Sequence, residues 1–225
     1  MTLMSFMNLS ITNLQSLAVA PPLPDNNAME NVVYVPGMLE QRVRLARNKP
    51  KRTRTRLMLL AATAAELEQS GYEALTINNI VARAGLARGT FYLYFPNRAE
   101  AAIAVRRSFM ALLRKTRPRG GAKLSAWQAI YRMNQFYVSF YARNARLLAG
   151  NGALFHERPE LLLNRDQVNH RWARILLRDM VRREGINRLS PEEEKRRLLS
   201  LRLVIIMADE ALRNAFIDPP PYLSQ

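Results

Sequence analysis

Apolar residues recur along most of this chain at three- and four-residue steps, the spacing that gathers them on one face of a helix. Over 52–70, Leu57, Leu60, Ala61, Ala64 and Leu67 form such a face, and Gly71 supplies a C-terminal stop. Ile77, Ile80, Val81 and Ala84 fall at i, i+3, i+4 and i+7, which predicts a short amphipathic helix over 76–84 with Thr76 as its N-cap. Gly85-Leu86 turns the chain, and a second short helix is expected over 87–95. Longer helices are predicted at 97–117, 124–142, 144–156, 159–184 and 190–217. The last opens on Ser190-Pro191-Glu192-Glu193, a capping box with proline at the first helical position. Between 51 and 218, Pro96, Pro118, Pro159 and Pro191 each stand where a helical pattern begins or ends. No segment alternates in the manner of a strand. The expected fold class is all-α.

The first 45 residues break this regularity. Pro21, Pro22, Pro24 and Pro36 interrupt them, and no Lys or Arg precedes Arg42. The mildly apolar stretch from Leu3 to Ala20 lacks the positive start and continuous apolar run of a secretory signal. Residues 1–45 are therefore expected to be a disordered extension. Residues 42–56 carry eight basic side chains and no acid, and are expected to form a basic arm leading into the helix at 52–70.

Composition narrows the function. The 225 residues include 34 Lys+Arg against 18 Asp+Glu, a net charge of +16, so a polyanion is the expected partner. The absence of cysteine excludes disulfides and thiolate zinc sites. No run reaches 18 uninterrupted apolar residues, so no membrane helix is expected. Charge alone leaves nucleic acid and an anionic membrane surface both open.

The window 72–100 chooses between them. Two short helices joined by a glycine-containing turn make a helix-turn-helix, whose second helix can enter a major groove. In that second helix Phe91 and Phe95 are placed to pack inward, which leaves Arg88, Thr90, Tyr92 and Tyr94 facing out. Arg88 suits a bidentate pair with a guanine edge, and Thr90 and the two tyrosine hydroxyls suit phosphates. Gly89 permits close backbone approach. Arg52 and Arg54 in the arm are candidates for the minor groove, with a solvated tail as the alternative.

These residues resemble the DNA-binding domain of the TetR family of bacterial transcriptional regulators. The family pattern of Gly-aromatic, Thr, Ile-Ala-x-x-Ala-Gly-Val, Ser/Thr-x-Gly-Thr and aromatic-Tyr-x-His/Tyr-Phe reads here as Gly71-Tyr72, Thr76, Ile80-Val81-Ala82-Arg83-Ala84-Gly85-Leu86, Ala87-Arg88-Gly89-Thr90 and Phe91-Tyr92-Leu93-Tyr94-Phe95. The Lys-Glu pair that opens the next helix reads Arg98-Ala99-Glu100, and the resemblance covers roughly 52–105. It departs at Ala87, where a phosphate-binding hydroxyl is common, at Val81 in place of alanine, and at Arg98 in place of lysine. The resemblance implies an N-terminal three-helix DNA-binding domain, followed by a larger helical ligand-binding and dimerisation domain. It also implies DNA contact through Thr76 and, at the lysine position, a phosphate role for Arg98. A cytoplasmic protein, nucleoid-associated when bound to DNA, is the expectation that follows.

Beyond 105 the reading rests on periodicity. Leu198, Leu201, Ile205, Ala208, Leu212 and Ala215 make one stripe of the last helix, and Leu199, Leu203 and Ile206 make a second beside it. Such a helix must bury two faces: it is either central in a monomer or shared with a partner. The family resemblance favours the partner, with Leu198, Leu201, Ile205, Ala208 and Leu212 as candidate dimer contacts. Trp127, Tyr131, Tyr137, Phe140, Phe155 and Trp172 concentrate aromatics in the middle of the chain. They either fill a core or line a pocket for a small apolar or amphipathic effector. Asp166 and His170, at i,i+4, read as a surface pair in preference to a metal site. No nucleophile motif, catalytic carboxylate pair or phosphate loop is present, so neither an enzyme nor a bound cofactor or metal is expected.

The domains expected are therefore an extension at 1–45, a DNA-binding domain at 46–98, a regulatory and dimerisation domain at 99–218, and a tail at 219–225. The function expected is that of a ligand-responsive, homodimeric repressor on a palindromic double-stranded operator, without membrane binding. The alternative is a charge-driven, sequence-nonspecific binder of DNA or anionic membrane, resting on the +12 left by 23 basic and 11 acidic residues after position 100.

Overall fold

The computed structural model describes residues 32–119, 124 and 126–216, and among these ten helices and no strand occur. The extension before residue 32 and the tail from 217 lie outside the described residues. In chain order the helices are α1 Val35–Leu45, α2 Lys51–Ser70, α3 Ile77–Ala84, α4 Arg88–Tyr92, α5 Arg98–Thr116, α6 Ala126–Arg143, α7 Ala145–Leu148, α8 Asn151–Glu157, α9 Glu160–Arg183 and α10 Pro191–Phe216.

Helix α1 corrects the expectation of disorder through residue 45. Pro36 stands in its first turn, where a missing N–H costs nothing, and Val35 and Leu39 bury one face against the core. What holds it lies far away in sequence. The buried Asn144 accepts from Val35 N at 2.8 Å through Oδ1, and its Nδ2 donates to Val33 O at 3.0 Å and Phe140 O at 2.9 Å. Tyr34 donates to the Glu68 carboxylate, and Arg143 stacks 5.2 Å over its ring. The basic run at 42–56 is corrected with it. It is not an extended arm, because Arg42 and Arg44 belong to α1, and Arg52, Arg54 and Arg56 to the first turns of α2.

Helices α2, α3 and α4 form a small head. Gly71 leaves α2 at φ 72° and its N–H closes on Leu67 O at 2.9 Å. Thr76 caps α3 by accepting Asn79 N–H at 3.1 Å, and Gly85 ends α3 in the left-handed region at φ 65°. Helix α4 has five residues where 87–95 was expected. Ala87 at its N-cap offers no side-chain acceptor, and Tyr94 and Phe95 N–H fold back onto Phe91 O at 2.9 and 3.0 Å. Phe91 and Phe95 are buried and tie this turn to the core.

Helix α5 joins head and body. Its first half buries Ala99, Ala101, Ala102 and Ile103, small residues that allow close packing, and its second half buries Phe109, Leu112 and Leu113. Helices α9 and α10 pair in antiparallel register, as their ion pairs show: Arg165–Asp209 at 2.6 Å, Arg202–Asp166 at 2.7 Å and Arg197–Glu184 at 2.6 Å. Ser190 caps α10 by accepting Glu193 N–H at 3.2 Å.

Candidate nucleic-acid interface and body cavity

The head presents one polar surface built on α3 and α4. Arg88 opens α4 and is exposed. Its Nη1 donates to Asn78 Oδ1 at 2.6 Å and its Nη2 to Tyr92 Oη at 3.3 Å, so residues from both helices aim one guanidinium. Tyr92 is 48% exposed and sits edge-on to the buried Phe91 ring, at 5.7 Å and 89°. Thr90 is half-buried beside it. Gly89 is exposed, and a Cβ there would meet nothing within 4 Å, so packing within the chain does not require glycine. Tyr94 is half-buried against the core and contributes less surface than Tyr92. Thr76 is exposed at the start of α3, with its hydroxyl engaged as the cap.

Arg52 and Arg54 are exposed on the first turns of α2, where Arg54 Nη1 reaches Arg47 O at 3.4 Å. Their helical setting removes the extended backbone that insertion into a groove would use.

Arg98 departs furthest from expectation. Its Nη1 donates to Leu75 O at 2.9 Å and Glu73 O at 3.2 Å, and its guanidinium lies 4.8 Å over the Tyr72 ring and 3.5 Å from Glu157. The carbonyls in the turn between α2 and α3 lack helical partners, and Arg98 supplies donors to them. It therefore joins head and body instead of facing out for a phosphate. Tyr72 Oη completes the joint by donating to Glu157 Oε2 at 2.7 Å, and Arg158 Nη1 reaches Glu100 Oε1 at 2.5 Å. Burial, followed by the hydrogen bond and charge of Glu157, pushes the Tyr72 hydroxyl up to about 12. Asn78, Tyr72 and Glu157 carried no periodic or motif signal for these roles in the sequence.

The body holds a partly open cavity of about 940 Å³, lined by residues from each of the helices α5 to α10. Tyr137, Phe155 and Trp172 line it. Phe140 does not. It is fully buried in the core, edge-on to Phe109 at 5.1 Å and 69°. Tyr131 is not among the lining residues, and the Trp127 side chain lies outside the described residues. Burial raises the hydroxyls of Tyr137 and Tyr141 and lowers the Arg106 guanidinium, all of which border the cavity.

The first stripe of α10 borders the same cavity. Leu201, Ile205, Ala208 and Leu212, expected at a dimer contact, line the cavity of their own chain, and Leu198 is half-buried near the start of the helix. The second stripe faces outward: Leu199 is 58% exposed, Leu203 53% and Ile206 38%, with Met207 beside them at 70%. The ion pairs to α9 set this rotation, since Asp209 must face Arg165 and so turns Ile205 and Leu212 inward with it. Asp166, expected to pair with His170, instead accepts Arg202.

Among the described residues no helix is long and apolar enough to cross a membrane. Residues 59–105 match the family model for bacterial regulatory proteins of the tetR family. No curated protein matches the chain significantly. Among solved structures, a TetR-family transcriptional regulator from Haemophilus influenzae is 24% identical, with 76% of this chain and 91% of that one covered at a TM-score of 0.42.

Proposed function

We propose that this chain, whose residues 59–105 match the family model for bacterial regulatory proteins of the tetR family, is a transcriptional regulator of that family and works as a ligand-responsive repressor binding a palindromic operator as a homodimer. The observation that carries the DNA reading is the Arg88–Asn78–Tyr92 cluster, which is exposed on a short helix whose inner face, Phe91 and Phe95, is anchored in the core. That anchoring lets a five-residue helix hold a fixed pose against a base edge. Thr90, Tyr92 and Gly89 complete the surface that approaches the duplex, and Arg52 and Arg54 serve backbone phosphates beside it. The reading head is assigned to 46–98, with α1 braced against it. The exposed stripe of Leu199, Leu203 and Met207 supplies the contact with a second copy, because an apolar helix face of this length is unfavourable in water. No catalytic role is assigned, and the site of action is the cytoplasm, where the operator lies.

The ligand reading rests on the cavity and on α8. Phe155 of α8 lines the cavity, and two residues later Glu157 bonds to Tyr72 of the head. A molecule that moves Phe155 acts on the joint that orients α3 and α4, which gives a two-state element that both sites bias.

Nuclease protection on the DNA upstream of the gene tests this reading. The expected result is one protected palindrome whose half-sites lie about 34 Å or a multiple of that apart along the duplex. Equal protection of random duplex would instead support charge-driven binding by the +12 body, the competing reading.

A further inference from the structure

The cavity lining holds ten arginines and two aspartates, and both aspartates are already engaged. Asp209 accepts from Arg165 at 2.6 Å, and Asp179 accepts from Arg182 and Arg183, the latter at 2.7 Å. Arg106 and Arg117 stand differently. Each lies over an aromatic face of the lining, Arg106 at 5.1 Å from Phe155 and Arg117 at 4.5 Å from Trp172. Neither has a carboxylate within ion-pair distance among the described residues. Arg106 lies within α5 and Arg117 immediately follows its last residue, eleven positions on, so three turns of helix separate them by about 16 Å. Met110 and Leu113, between them, also line the cavity.

Arg106 is half-buried among the lining residues, and its surroundings oppose its charge. Burial lowers its guanidinium, Tyr141 and an Asp209 shared with Arg165 act against that lowering, and Arg165 adds repulsion. A half-buried guanidinium over an aromatic ring, open to a cavity and without an ion-paired carboxylate, is a fork of donors suited to a planar anion. The remainder of the wall, including Met110, Leu113, Tyr137, Trp172 and Leu201, offers apolar surface to an elongated body.

We infer that the cavity takes an amphipathic anion, with a carboxylate on Arg106 and an unbranched apolar body running along α5 toward Arg117. This inference rests on the reading of the cavity as the effector site and names the chemistry of that effector. The carboxylate compensates the half-buried charge, and the chain displaces water from the apolar wall. Because Arg106 stacks on Phe155, head-group binding acts directly on α8.

Calorimetric titration of the full-length protein with four probes below their micellar concentrations tests the inference: dodecanoate, dodecanol, dodecyltrimethylammonium and acetate. Dodecanoate is expected to bind once per chain and at least about tenfold tighter than dodecanol, in keeping with a charge-assisted hydrogen bond in a partly enclosed site. The cationic probe is expected to bind weakest, and acetate, which lacks a body, to give no signal. Arg106→Gln should bring dodecanoate to the level of dodecanol while dodecanol is unchanged. Arg174→Gln, on the exposed face of α9, should leave the series intact and so exclude attraction to the general surface charge. Dodecanol or the cation binding as tightly as dodecanoate overturns the anion inference and leaves the effector-site reading standing. If none of the three chains binds, both readings fall. If Arg106→Gln does not fold, the charge series on the unmutated protein decides alone.

Discussion

Tyr72 Oη donates to Glu157 Oε2 at 2.7 Å, joining the turn after α2 to the last residue of α8 across 85 positions of sequence. Arg98 clamps the pair from α5, with its guanidinium 4.8 Å over the Tyr72 ring and 3.5 Å from Glu157. Three elements of head and body thus meet at one hydroxyl, and the element contributing Glu157 also contributes Phe155 to the cavity.

We predict that Tyr72→Phe keeps the helical fold and operator binding but blunts operator release by a cavity ligand. Anisotropy of labelled operator during ligand titration is the check, and release identical to the parent would remove Tyr72 from the coupling. The phenol gives an independent pH signature. Its folded pKa, raised to about 12 from an ordinary 10.0, means that the folded state holds the proton more tightly than the unfolded state. The associated stability is whole below pH 10 and is lost as pH rises from 10 through 12. Unfolding midpoints of Tyr72→Phe should fall less steeply than those of the parent over that window. Parallel slopes would mean that the hydrogen bond to Glu157 is not made in solution.

Arg88→Ala should weaken cognate operator binding by about 1–3 kcal/mol and relax preference at one base position, since one bidentate reader is lost. Asn78→Ala should produce a milder form of the same change, because Asn78 aims the guanidinium at 2.6 Å without reading a base in this scheme. Competition binding against an operator set substituted at each position measures both. Uniform loss across all positions would place Arg88 on a phosphate instead.

Asn144→Ala removes one acceptor and two donated hydrogen bonds, leaving Val35 N–H and Val33 C=O without their partner. Desolvated backbone groups left unpaired cost roughly 1–3 kcal/mol each, so α1 should open well before the rest of the chain. Amide hydrogen exchange is the measurement: protection over 35–45 should collapse while α2 and α5 keep theirs. Retained protection in α1 would show that Leu39 and Val35 suffice to hold it.

Leu203→Glu is predicted to yield monomers with unchanged helicity, because Leu203 is 53% exposed and its loss leaves the chain's own core intact. Leu201→Glu, on the stripe that lines the chain's own cavity, should instead leave the dimer intact. Sedimentation velocity with circular dichroism separates the two. A dimeric Leu203→Glu protein would place the subunit contact elsewhere.

Local chemistry determined much of this protein. Thr76, Gly85, the Ile80-Val81-Ala84 face and the Phe91/Phe95 pair are sufficient for the helix-turn-helix, since caps, left-handed glycines and i,i+4 faces act within a few residues. Other features depended on partners that no window of sequence contains. Whether 35–45 is ordered rests on Asn144 and Glu68, and whether Arg98 meets DNA or a joint rests on carbonyls 23 and 25 residues away. The amphipathic period of α10 marked two apolar stripes, but not which one would turn inward. That choice fell to Arg165 and Asp209, because a helix can rotate about its axis without changing its own hydrogen bonds, and only contacts from another helix fix the angle.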